Sequence, residues 1–152
     1  MAETLCFSAA IRMPSRQLAN LERIGKLKAE PPAKAEFGGL LRSGSARLKD
    51  STNSALSRDS KFDLAYNGAH ALALAALRWH GFRSENRYLV FQCLEHTLGF
   101  EAREWRVLDE AHRKRNVAEY EGEIDIDDAL VDALIRAAKE IERRVRALTP
   151  LK

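Results

Sequence analysis

Phe62-Asp63-Leu64-Ala65-Tyr66-Asn67-Gly68-Ala69-His70-Ala71-Leu72-Ala73-Leu74-Ala75-Ala76-Leu77-Arg78-Trp79-His80-Gly81 is the stretch whose reading decides the fold. Phe62, Ala65, Ala69, Leu72, Ala73, Ala76 and Leu77 recur at steps of three and four and mark one face of an α-helix. Ser57 or Asp59 caps its start, and Gly81 ends it. So many alanines predict a helix pressed closely against other helices. Asn67 to Leu77 carries no charge. The run is about half of what spans a bilayer, which argues against a transmembrane helix.

Working outward, the same periodicity predicts helices on both sides and no strand. Leu18, Leu21, Ile24 and Leu27 predict an amphipathic helix from Ser15 to about Ala29, stopped by Pro31-Pro32. Phe37, Leu40, Leu41 and Leu48 predict another from about Ala35 to Asp50. Gly38, Gly39 and Gly44 weaken it, or let a neighbouring helix come close. Downstream, helices are predicted over about Glu85–Leu98, Glu101–Tyr120 and Asp127–Leu148. Gly99 stops the first of these. Asp125 and Asp127 suit the start of the last, and Arg143, Arg144 and Arg146 its end. Short connections make successive helices antiparallel. The expected architecture is all-α: an up-and-down antiparallel bundle of four core helices plus an N-terminal helix. Residues 1–34 form a basic arm and residues 35–152 the bundle.

The 152 residues are 45% hydrophobic and 31% charged, with eight Gly and four Pro, as in one ordinary globular domain. The net charge of +3 is unevenly placed. Residues 1–49 hold nine Lys/Arg against four Asp/Glu, residues 50–100 are balanced, and residues 101–152 have two more acids than bases. A weak basic bias is compatible with polyanion contact but is far more common than such contact. Cys6 and Cys93 form no CxxC pair, and Cys93 reads as a small core residue of a protein in a reducing cytoplasm. No Lys or Arg precedes Arg12, so no secretory leader is expected. His70, His80, His96 and His112 never stand at ligand spacing beside a cysteine, so no metal is expected. No GxSxG, Walker-type or GxGxxG pattern occurs, and no cofactor is expected.

The helix over Glu101–Tyr120 has an unusual pattern. Val107, Leu108, Ala111 and Ala118 share an arc that should face the core, and Arg115 projects from the same arc. A guanidinium there is either paired, with Glu119 or Glu104, or held for an outside anion. Asp109, His112, Arg113, Asn116 and Tyr120 form a second, polar stripe. Two guanidinium forks, an amide, a phenol and an imidazole suit phosphate gripping and base-edge contact. On the earlier helix, Tyr66, Asn67 and His70 either line the same cleft or serve as hydrogen-bonded packing residues.

His112-Arg113-Lys114-Arg115-Asn116-Val117-Ala118-Glu119-Tyr120 resembles the motif helix of HEPN (higher eukaryotes and prokaryotes nucleotide-binding) domains. The stretch Phe62–Gly81 is similar to the second core helix of stand-alone bacterial HEPN-like proteins, and the resemblance spans about Phe37 to Leu148. It implies a helical bundle, a homodimer with motif helices facing a shared cleft, and, in many members, metal-independent RNA cleavage. There an arginine grips phosphate and a histidine moves protons. Arg115 matches the arginine and Asn116 the polar residue after it, but Tyr120 stands where the histidine belongs. A phenol is a poor base near neutral pH.

The expectation is therefore an RNA- or nucleotide-binding protein of the toxin or defence type without the usual cleavage chemistry. Arg113, Arg115, Asn116, Tyr120, Tyr66 and His70 would contact the ligand. One alternative is a divergent metal-independent endoribonuclease using Arg115 with Tyr120 or His112. Another is a helical partner of a small nucleotidyltransferase or an antitoxin. Modified family members carry their acceptor tyrosine where this chain has Gly122, which displaces Tyr120 from that role.

Overall fold

Ser57 starts the central helix as expected, accepting the Ser60 N–H at 3.2 Å. In a computed structural model that describes residues 15–152, this helix runs Arg58–Trp79. The elements in chain order are α1 (Arg16–Arg23), β1 (Lys28–Ala29), α2 (Lys34–Ser51), α3 (Arg58–Trp79), β2 (Phe82–Arg83), α4 (Arg87–Gln92), α5 (Leu94–Thr97), α6 (Ala102–Glu121) and α7 (Asp128–Arg146). Cys6 and Arg12 lie outside the described residues.

The expected all-α bundle is present, and four contacts fix its directions. Arg58 at the start of α3 bonds Asp128 at the start of α7, at 2.8 Å. Trp79 at the end of α3 donates from Nε1 to the Thr149 carbonyl just beyond α7, at 2.7 Å. Arg144 near the end of α7 pairs with Glu104 near the start of α6, at 2.7 Å. Thus α3 and α7 run together while α6 runs the other way, and a fourth contact, Arg78 at the end of α3 with Glu36 near the start of α2, sets α2 antiparallel to α3. The core sits between them, where Phe62, Tyr66, Leu72, Leu77, Leu108, Leu134 and Ile141 are fully buried.

Helices α2 and α3 cross on glycine. A Cβ on Gly44 would lie 2.7 Å from Leu72 Cγ, and one on Gly68 would lie 3.0 Å from the Gly44 carbonyl. The backbones therefore meet with no side chain between them. The open spacing around Gly39 shows that this glycine does not share the role.

Two elements differ from expectation. The N-terminal helix stops at Arg23, because Gly25 turns the chain at φ +79°. Leu27, which continues the three-residue repeat, is buried from the extended segment beyond the turn. Lys28–Ala29 then pairs antiparallel with Phe82–Arg83, a short ladder the helical periodicity did not foretell. The helix expected over Glu85–Leu98 is broken in two. The turn tightens at Cys93, whose carbonyl takes the N–H groups of both His96 and Thr97 at 2.9 Å.

The ladder is locked by Arg78, which is 1% exposed at the end of α3. Its guanidinium pairs with Glu36 and Glu30 and donates to the carbonyls of Glu30 (2.9 Å), Pro31 (2.7 Å) and Phe82 (3.3 Å). Arg83 bridges the same two carboxylates. Leu18 of α1 is also fully buried, so residues 15–33 are packed on the bundle.

Candidate functional site

Helix α3 carries Tyr66 into the core, where it is fully buried. Its ring stacks on Phe62 at 6.2 Å and meets the edge of Phe91 from α4 at 5.6 Å. Only the hydroxyl needs a partner, and α6 supplies it. Leu108 and Ala111 bury the inner arc of α6, which turns the neighbouring His112 toward α3. Tyr66 Oη and His112 Nδ1 lie 2.9 Å apart. One turn on, Asn116 Nδ2 donates to His112 Nε2 at 3.0 Å. With that nitrogen accepting, the imidazole is neutral and its remaining proton, on Nδ1, donates to Tyr66 Oη.

Two guanidiniums border this chain of hydrogen bonds. Arg115 Cζ lies 5.0 Å from the centre of the Tyr66 ring and Arg87 Cζ 5.7 Å. Arg115 also pairs with Glu119, four residues on, at 3.0 Å, so one of the two dispositions open to it in the sequence is realised. The other acid considered, Glu104, is taken by Arg144. Arg87 donates to Asn67 Oδ1 at 2.8 Å and, among the described residues, has no carboxylate partner.

These surroundings set the protonation states. Burial pushes His112 below the usual imidazole range, and the charge of Arg115 adds to the effect. Burial pushes the Tyr66 phenol up, opposed by Arg115 and Arg87. His70, one turn along α3, sits edge-on to Phe91 at 6.0 Å, with Nε2 buried and unpartnered. Its pKa is lowered to about 4, first by burial and then by Arg87 and Arg115.

The structure thus brings together Tyr66, His112, Arg115 and Asn116, with His70 alongside. Arg113 and Tyr120 stand apart. Arg113 faces solvent near Asp109, at 3.6 Å, and lines an outer groove with Glu110, Lys114, Asn116 and Val117. Tyr120 is 91% exposed and touches none of the cluster. Arg87 is the member that sequence reasoning missed. It lies in a stretch with no motif, and only the packing of α4 on α3 puts it over Tyr66. Among the described residues, no three His, Cys, Asp or Glu side chains converge as metal ligands, and no helix is long and apolar enough to cross a membrane.

The chain matches no family model, no curated protein and no solved structure.

Proposed function

We propose that this is a HEPN-like protein that binds RNA or nucleotides through phosphate at the Tyr66–His112 cluster, without the usual HEPN cleavage step. The observation that carries the reading is the pair of guanidiniums on one aromatic ring, of which only Arg115 has a carboxylate. Arg87 is left to neutralise an anion, and phosphate fits the chemistry of a guanidinium fork. The second N–H of the Asn116 amide supplies a hydrogen bond beside it. The resemblance of His112–Tyr120 to the family's motif helix supports the same reading.

Cleavage is the less favoured reading, because a general base needs a free nitrogen. Both nitrogens of His112 are engaged, and Tyr120 is remote from the cluster. The exposed Val117 and Tyr120 on the outer side of α6 form a face suited to a second copy of the chain.

The test compares the wild-type protein with Arg87→Ala/Arg115→Ala for binding of adenosine monophosphate and RNA at low salt. The mononucleotide affinity of the variant should fall about tenfold or more, because the charge-assisted hydrogen bonds to phosphate are gone. Light scattering on the same sample should give twice the chain mass. Equal mononucleotide affinity would remove the reading. RNA cleavage that survives EDTA and requires His112 would replace it with the enzymatic one.

A further inference from the structure

Helix α7 has two opposite faces. Leu130, Leu134, Ala138, Ile141 and Val145 are buried in the bundle. On the far side Asp132, Arg136, Lys139, Arg143 and Arg146 are exposed, at steps of four, three, four and three. Side chains at that spacing form one straight row. The four cations span about 15 Å of helix, at 1.5 Å per residue.

The protein itself neutralises only half of this row. Arg143 is held by Glu140 at 2.6 Å. Arg146 comes only within 3.7 Å of Glu142. Among the described residues Arg136 and Lys139 have no carboxylate partner. Arg146 also donates to Ser45 Oγ of α2 at 3.0 Å, which places α2 along the edge of the row. Arg42 and Lys49, about one turn to either side of Ser45, are exposed too. The acids nearby are Asp128 and Asp132 at the head of the row, Glu140 and Glu142 beside Arg143 and Arg146, and Asp50 at the end of α2.

We infer that the outer face of α7, with Arg42 and Lys49 of α2, is a docking surface for the phosphate backbone of a nucleic-acid strand. The occupant follows from the chemistry of the face. A row of regularly spaced cations matches a polymer with regularly spaced anions, and each phosphate neutralised releases a condensed counterion. A lipid surface fits less well, because an interfacial helix sinks an apolar face into the bilayer, whereas α7 has used its own in the core. The large exposed hydrophobics of the described residues are Ile24, Val117 and Tyr120, none of them on α2 or α7. The surface is built by helices other than those that hold Tyr66, Arg87 and His112, save for α3 beneath them all. The inference therefore does not rest on the cluster being a ligand site.

The experiment measures binding of a fluorescein-labelled single-stranded RNA to the full chain across a salt series. Arg136→Gln/Lys139→Gln should weaken binding about tenfold or more at low salt. It should also flatten the slope of log affinity against log salt by about 1.4, at ~0.7 for each phosphate no longer neutralised. Arg42→Gln/Lys49→Gln, on the other helix, should do the same, with both melting temperatures unchanged. Arg23→Gln/Lys26→Gln removes the same charge from exposed positions elsewhere and should leave the slope as it was. The inference is overturned if the wild-type chain does not bind RNA, if the control variant is weakened as much as the other two, or if anionic vesicles bind where RNA does not. Mononucleotide affinity, which tracks Arg87 and Arg115, reports separately on the cluster.

Discussion

His70 combines, at a single residue, the burial and the local field that characterise the cluster. It is neutral in the folded protein well below the pH at which a free imidazole gains its proton. Stability that depends on a depressed imidazole is fully present above the unfolded value of 6.5. It declines as pH falls toward about 4, because only the unfolded chain takes up the proton across that window. The difference between the two values corresponds to about 3 kcal/mol at its limit. Urea titrations between pH 7 and pH 4 should show the decline in the wild-type protein and a smaller one in His70→Gln. A wild-type stability that is flat across this range would contradict the assignment. His112 shifts in the same direction, and Arg115→Gln should raise its pKa in a proton NMR titration by removing a neighbouring cation. Part of this chemistry is legible in the sequence. Arg115 is marked by a polar intrusion into an apolar helical arc, Asn116 by its place in the polar stripe, and Tyr66 and His70 by their spacing on α3. Arg87 is not, since its role exists only once α4 folds over α3. Tyr120 misleads for the opposite reason. Helical spacing aligns it with Arg113 and Asn116, but of that row only the Asn116 amide reaches back to His112, and Tyr120 faces solvent.

Among the helices, periodicity fixes identity well and ends poorly. The four long helices are legible from apolar residues at steps of three and four, most completely in α7, which buries Leu130, Leu134, Ala138, Ile141 and Val145 as one stripe. The first and fourth are misjudged, because Leu27 and Cys93 keep the apolar rhythm while the backbone leaves the helix. Gly25 imposes its own turn, and the tight Cys93 turn has no marker in residue type. Glycine in α2 is legible only as an ambiguity, between weakness and close approach, and the structure divides it by position. Gly39→Ala meets no atom within 4 Å and should stabilise the protein by about 0.5–1 kcal/mol through helix propensity. Gly44→Ala gains the same propensity but drives a methyl into Leu72 and toward the Gly68 carbonyl. It should destabilise by about 1–3 kcal/mol, as overpacked interiors do. Thermal melts of the two variants should move in opposite directions. A higher melting temperature for Gly44→Ala would mean that α2 and α3 can separate without penalty.

At the scale of the molecule, residues 15–33 are joined to the bundle by charge as well as by Leu18 and Leu27. Arg78 is the centre of that joint, buried among two carboxylates and three carbonyls. Nothing in the alanine-rich sequence of α3 distinguishes this arginine from a solvated one, because its partners come from residues 30–36 and from β2. Replacing it with Met fills similar volume but strands the acids and carbonyls, and should cost about 3–5 kcal/mol. The acids give the same joint a pH dependence. Hydrogen bonds from Arg83 hold Glu30 below the usual carboxylate range, and those from Arg78 and Arg83 do so for Glu36. Glu140, gripped by Arg143 and Arg144, is lowered to about 2 and belongs to the α6–α7 contact instead. A carboxylate held low contributes stability above its unfolded value of 4.5, and that contribution disappears as pH falls through its folded value. Melting followed by circular dichroism should therefore fall steeply from pH 5 toward pH 2. In Arg78→Met, Glu36 loses the first of its two guanidinium hydrogen bonds and Glu30 loses a neighbouring charge, while Arg83 still holds both, so the acid-dependent decline should be smaller although the starting stability is lower. Parallel pH curves for the two proteins would show that these carboxylates draw nothing from Arg78, and would leave the docking of residues 15–33 to Leu18, Leu27, Arg83 and the β1–β2 ladder.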